Sequence, residues 1–308
     1  MKRQRFPRDS RDGAALLLTL WCIAVVAVTV VLTARIVDSD VENETMRARR
    51  FEARELALNG IAYGINTGLK RGSDLLHQKL QDGGGLDVRV SSESARLNIN
   101  RLAKENGGQT LKNLFALWGV SDDEARVAVD SLADWVDKGD LRRLNGAERE
   151  ELQNQTAYSL PQNRDFQSVS EMRRVRGMDV VARHQPDWSD YFSVFSRVPL
   201  DIQDAPPEVL RVVAGLSGDQ ADRLAEFRNG GDGLPGTFDD RVIRSLDEVI
   251  TRTGLSEAQA EALRAGFQVG AEPTRVESTG QVGGMSFRIC TVADRSLKKA
   301  ARLSWEEQ

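Results

Sequence analysis

The sequence predicts an α+β fold: a long N-terminal helix laid on a small antiparallel sheet, with a large all-helical segment inserted into that sheet. Three observations predict it. An uncharged stretch, 14–34, leads into a proline-free segment reaching about Lys70. Alternating apolar and polar residues at 86–90, 95–100 and 268–292 mark strands on either side of the middle. The middle itself, 101–266, carries the apolar spacing and capping signals of short helices.

The uncharged stretch is 21 residues long and follows Gly13. At about 1.5 Å per residue it makes a helix of roughly 31 Å, enough to cross a hydrocarbon core of ~30 Å. Lys2, Arg3, Arg5, Arg8 and Arg11 precede it against only Asp9 and Asp12. Basic flanks stay cytoplasmic, which places the rest of the chain across the membrane. A cleaved secretory signal is the competing reading. Its apolar core is shorter and ends in a small-x-small site, whereas Leu32-Thr33-Ala34 offers a large leucine.

Beyond the membrane the helix is expected to run from Val37 to about Lys70, with Phe51, Leu58, Ile61, Ala62, Ile65 and Leu69 as its apolar face. Gly60, Gly64, Gly68 and Gly72 recur at i+4, and each glycine inside a helix costs about 1 kcal/mol relative to alanine. The row reads either as a packing groove for a sheet or neighbouring helix, or as a fraying helix end in a glycine-rich chain.

Gly83-Gly84-Gly85 breaks the chain before Leu86-Asp87-Val88-Arg89-Val90. A second alternating segment, Ala95-Arg96-Leu97-Asn98-Ile99-Asn100, is also expected to be a strand. Gly283-Gly284 supplies a hairpin turn before Met285-Ser286-Phe287-Arg288-Ile289-Cys290. The helical middle is expected to be internally duplicated, with two repeats at about 97–178 and 200–266. Leu97-Asn98-Ile99-Asn100 is echoed by Leu200-Asp201-Ile202-Gln203, and Gly119-Val120-Ser121 by Gly215-Leu216-Ser217. Capping boxes are expected at Ser121/Glu124, Ser168/Glu171, Ser245/Glu248 and Ser256/Gln259, with helix stops at Gly177 and Gly254.

A net charge of −4 over 308 residues argues against a general nucleic-acid binder. Cys22 and Cys290 are too differently placed to form a disulfide, and His77 and His184 have no cysteine companions for zinc. There is no Gly-x-Ser-x-Gly elbow, so a hydrolase is a poor reading. One chemical site stands out. Asp134, Asp137 and Asp140 enter a glycine-containing loop with Glu148 shortly after, and clustered carboxylates suit Ca²⁺. Lys138, Arg142, Arg143 and Arg149 dilute that charge, and a solvated acidic helix end is the plainer reading. Asn229, Asp232, Asp239 and Asp240 form a second oxygen-rich loop.

The junction Arg11-Asp12-Gly13-Ala14-Ala15-Leu16-Leu17-Leu18 resembles the prepilin-peptidase site of type IV pilins and type II secretion pseudopilins. That resemblance implies removal of residues 1–13, with Ala14 as the first mature residue and an N-methyl group added. Position five of the mature chain is then Leu18, where most such subunits carry a glutamate. Absence of that glutamate is characteristic of the K-type minor pseudopilin, the GspK family. The chain resembles this family over almost its whole length. The further landmarks are Ala57-Leu58-Asn59-Gly60-Ile61-Ala62, Leu97-Asn98-Ile99-Asn100-Arg101-Leu102, Leu132-Ala133-Asp134-Trp135-Val136-Asp137 and Gly146-Ala147-Glu148. They end with Asn163-Arg164-Asp165-Phe166 and Ser170-Glu171-Met172-Arg173-Arg174-Val175-Arg176-Gly177.

The resemblance implies a pilin-like fold divided into a leader 1–13, a membrane helix 14–34, a periplasmic helix with first strands 35–100, an inserted helical domain 101–266 and C-terminal strands 267–308. It implies a non-enzymatic subunit of the bacterial inner membrane, single-pass, with its bulk in the periplasm. Its expected partners are other minor pseudopilins of a tip complex, prepilin peptidase and inner-membrane lipid. Its expected role is initiating or limiting pseudopilus assembly, and calcium in the helical domain is a family property. The paired helices also resemble helix-hairpin-helix DNA-binding modules, but Asp122, Asp123 and Asp219 crowd the turns where phosphate would approach. A minor subunit of a type IV or DNA-uptake pilus is the alternative, and no nucleic acid is expected as partner.

Overall fold

The computed structural model describes residues 10–69, 71–80, 83–105, 108–139, 143–146, 162–231, 233, 239–296 and 301–307. Helix α1, Ser10–Ile65, spans 56 residues, about 84 Å at the rise of an α-helix. It stops short of the expected Lys70. The Asn66 side chain accepts the Gly68 N–H at 2.9 Å and offers the backbone a turn instead of another helical bond.

The buried stripe of α1 matches the expected face in part: Ile61 is buried and Leu58, Ile65 and Leu69 pack against the same core. Ala53, Ala57 and Ile61 are buried, whereas Phe51 is 62% exposed and Ala62 faces solvent. Small residues win because the sheet lies so close: a Cβ added at Gly280 would stand 2.0 Å from the Ala53 carbonyl oxygen.

Strands β1 (His77–Lys79) and β2 (Gly85–Ser92) form an antiparallel pair. The segment 95–100 is not one strand. Only β3, Leu97–Asn98, is extended, and α2, Ile99–Lys104, follows at once because the Asn98 side chain accepts the Arg101 N–H at 3.0 Å and caps it. Next come α3 (Gln109–Leu117) and α4 (Asp122–Val136), joined through Gly119 at φ +82°. The Ser121/Glu124 capping box opens α4.

Segment 169–174 is a 3₁₀ turn. Ser168 makes no capping bond there; its hydroxyl meets that of Ser170 at 2.8 Å. Gly177 does not stop a helix but precedes one, α5, Met178–His184. Its φ is +87°, and a Cβ there would lie 2.9 Å from the Ala128 backbone of α4.

Strand β4, Phe192–Ser193, then returns to pair in parallel with β3. The second run begins with β5, Leu200–Asp201, followed by α6 (Pro207–Ala214), α7 (Gly218–Arg228), α8 (Leu246–Thr253) and α9 (Glu257–Gly266). It closes with β6, Phe267–Gln268, parallel to β5. Ser217/Gln220 and Ser256/Gln259 form complete capping boxes, Ser245 caps α8, and Gly254 at φ +63° ends it. Both runs carry a bridge strand, a glycine-apolar-serine turn, a capped helix and a returning bridge strand, but two helices precede the turn in the first run and one in the second.

The chain re-enters the sheet as β7 (Thr274–Val282) and β8 (Met285–Asp294). Gly283 at φ +53° and Gly284 at φ +82° make the two-residue hairpin turn. Strands β9 (Ala301–Arg302) and β10 (Glu306–Glu307) both pair with β8, giving an antiparallel order β1-β2-β7-β8-β10. Arg54 of α1 donates to both Glu307 carboxylate oxygens, at 3.0 and 2.8 Å, and ties β10 back to the helix.

Candidate assembly surface

Outside the globular part α1 stands alone. Leu16–Thr33 has a mean hydropathy of 2.6, and none of it is buried against the rest of the chain. Its hydroxyls are satisfied internally: Thr29 and Thr33 donate to the carbonyls of Val25 and Thr29, each at 2.8 Å. Such back-bonding is what an apolar solvent demands. Leu18 lies in this segment, 67% exposed. Gly13 and Ala14 fall inside α1.

The glycine row divides. Gly60 faces the sheet, where an added Cβ would come within 2.1 Å of Ser278 Oγ and 2.6 Å of Leu86 and Val88 methyls. Gly64 meets Val276 in the same way, at 2.3 Å. Gly68 and Gly72 lie past the end of α1, Gly68 in the Asn66 turn and Gly72 at φ +73°. They make no part of a helical groove.

Contacts along α1 orient the whole molecule. A Cβ at Gly283 would touch Arg49; Gly280 meets Ala53, Gly60 meets Ser278, and Gly64 meets Val276. Strand β7 therefore runs back toward the apolar N-terminal half of α1, while β2 and β8 run away from it. Both points where the helical segment joins, Ser92 and Thr274, lie at the distal end. They are register partners. The junction is tied by polar groups: Asp204 accepts the Ser92 N–H at 2.6 Å and pairs with Arg71 at 2.8 Å, and Arg197 pairs with Asp294 at 2.9 Å.

Of the expected calcium residues, Asp140 and Glu148 lie outside the described residues. Asp134 is fully buried, and its Oδ1 meets Arg143 Nη1 at 2.8 Å. The Arg143 N–H approaches both Asp134 oxygens at 3.3 Å. Burial pushes the Asp134 carboxyl up, against the pull of Arg143. Asp137 is held below the usual range by the Gly139 N–H and the Arg143 charge.

The same guanidinium lies 3.4 Å from Asp137 Oδ2, so one internal cation serves both carboxylates. Among the described residues no group of three or more His, Cys, Asp or Glu is placed to hold a metal ion. Asp130, which accepts the Asn145 N–H at 3.1 Å, went unnoticed in the sequence. Its spacing to Asp134 and Asp137, i, i+4 and i+7 on one helix face, was the available signal. In the second loop Asp239 accepts the Gly231 N–H at 2.6 Å and Asn229 donates to the Gly233 carbonyl; Asp232 is outside the described residues. His77 bonds to Asp87 at 2.6 Å.

Comparison with known proteins places this geometry. Residues 95–185 match the family model described as Type II secretion system (T2SS), protein K. The type II secretion system protein K of Pseudomonas aeruginosa is 26% identical over 182 residues, 57% of this chain and 53% of the relative. The match thus spans about half the length of that curated relative. The crystal structure of the GspK-GspI-GspJ complex from the enterotoxigenic Escherichia coli type 2 secretion system shares the fold. Its TM-score is 0.60 at 16% identity, covering 88% of this chain and 98% of that one. The family-model match and the curated relative make this chain similar to type II secretion system protein K, and the solved complex shares its fold.

Proposed function

We propose that this chain is a non-enzymatic minor pseudopilin at the tip of the type II secretion pseudopilus, where it initiates or limits assembly for protein export across the outer membrane. The observation that carries the reading is the distal placement of the helical segment. α1 runs about 48 Å from Thr33 to Ile65, and the inserted helices begin where it ends. A subunit added above would need that space. Leu18 fits the same position: a carboxylate in the bilayer is expensive without a partner, and a tip subunit has no upper neighbour to supply one. The partners are other minor pseudopilins, and we read the two helical runs as copies of one unit, supported by the glycine-apolar-serine turn, the capped helix after it and the parallel bridge that each contains.

The test is photo-crosslinking in cells making the secretion system. Probes at Phe51, on the side of α1, are expected to capture pseudopilins, and probes at Val242, in the helical segment, are not. Equal capture of pseudopilins from Val242 would overturn the tip assignment. Processing is read from the intact mass of the purified chain: a start at Ala14 with an added methyl group supports prepilin peptidase as a partner, and a start at Met1 removes it.

Calcium at the 134–148 loop is a second proposal about the same domain. Asp134 and Asp137 can coordinate the ion only if Arg143 leaves them, so Arg143→Ala should bind calcium more tightly than the parent chain. Calorimetric titration decides it; no heat from either protein at millimolar calcium removes the site.

A further inference from the structure

A cleft of about 350 Å³ lies in the second helical run, with Arg223, Glu226 and Phe227 of α7, Arg241, and Arg252 of α8 on its walls. The Phe227 ring organises it. The Arg252 guanidinium carbon stands 4.2 Å from the ring centroid and that of Arg241 5.1 Å. Two cations thus lie over one aromatic side chain, a contact that holds each guanidinium against the ring. The donor edges of a stacked guanidinium stay free, and they match the paired oxygens of a carboxylate. Arg223 precedes Phe227 by one helical turn and adds a third cation.

No carboxylate among the described residues pairs with any of these three; some arginines elsewhere are paired, such as Arg71 with Asp204, Arg143 with Asp134 and Arg197 with Asp294. Among the described residues Glu226 is an acidic residue on the cleft wall, and the Asp239 carboxylate lies against Gly230 at its edge. The three guanidiniums outnumber these two carboxylates. The cleft belongs to the helical segment.

We propose that this cleft is a carboxylate-binding site for an acidic segment of a partner protein. The acidic segment meets the excess of guanidinium groups, and Phe227 holds two of them before the partner arrives, which lowers the ordering cost of binding.

The test is calorimetric titration of the full chain in detergent micelles with an N-acetylated Gly-Glu-Glu-Gly peptide. Parallel arms use N-acetylated Gly-Gln-Gln-Gly and inorganic phosphate. Saturable binding of the acidic peptide is expected, weakening with added salt. Arg241→Gln/Arg252→Gln should weaken it about tenfold or more. Arg241→Lys/Arg252→Lys keeps the charge but loses the planar fork, and should fall between parent and glutamine variant. No saturable heat at millimolar peptide, equal binding of the glutamine peptide, unchanged affinity in the double glutamine variant, or tighter binding of phosphate than of peptide would each overturn the proposal.

Discussion

A methyl group added at Gly60 would land 2.1 Å from Ser278 Oγ, whereas one at Gly68 meets only the Asn66 side chain, at 3.2 Å. Helix propensity favours alanine at Gly60 by about 1 kcal/mol, but the overpacking penalty in a closed contact is about 1–3 kcal/mol. Gly60→Ala is therefore expected to lower the thermal midpoint, and Gly68→Ala to leave it nearly unchanged. Equal midpoints for the two variants would contradict the packing described. Glycines at i+4 were legible in the sequence as candidates. Which of them meet the sheet was not, because that depends on where α1 stops.

Glu277 sets a pH dependence. Burial pushes its carboxyl up, but Arg275 at 3.1 Å and Arg288 at 2.9 Å outweigh that and hold it below the ordinary 4.5. A depressed folded pKa contributes stability above the unfolded value that is lost as pH falls toward the folded one. Glu277→Gln should flatten the loss of stability below about pH 4.5 in urea titrations. A variant whose acid limb matches the parent's would remove this assignment.

At the scale of single elements, local chemistry was largely readable. Serine three residues before glutamate or glutamine marks real caps at Ser121, Ser245 and Ser256, and the box at Ser217/Gln220 has the same spacing. Ser168 shares that spacing without the bond, since the Glu171 N–H donates to the Ser168 carbonyl at 3.3 Å and the Ser168 hydroxyl meets that of Ser170. Ser256→Ala should cost about 1 kcal/mol, measured by denaturant unfolding, and Ser168→Ala much less. A cost as large at Ser168 would show that the capping geometry is not what separates them. The segment 95–100 misled for a related reason. Its alternation is genuine, but Asn98 is a good helix cap, and two extended residues suffice for the parallel bridge to β4.

For the whole molecule, alternation announced a sheet contributed from both sides of the helical middle. The distal position of that middle was not legible, because it rests on register between residues nearly two hundred positions apart. Asp204 shows how the junction is held. Asp204→Ala strands the buried Ser92 N–H and releases Arg71, a loss of about 1–3 kcal/mol. Hydrogen exchange should then speed up around Ser92 and leave the Gly283 hairpin unchanged. Equal acceleration at both places would mean global rather than local loosening.

Ser92 and Thr274 face each other across neighbouring strands, roughly 5 Å apart. Mechanically this makes the helical segment a weight hung from two adjacent cords. A thrust along α1 reaches it through both strand ends at once, so the load slides the sheet along the helix. It does not peel β2 from β7. Resistance is then shared by the whole length of the seam at Ala53, Ala57, Gly60 and Gly64, and no bond in the ladder has to fail first.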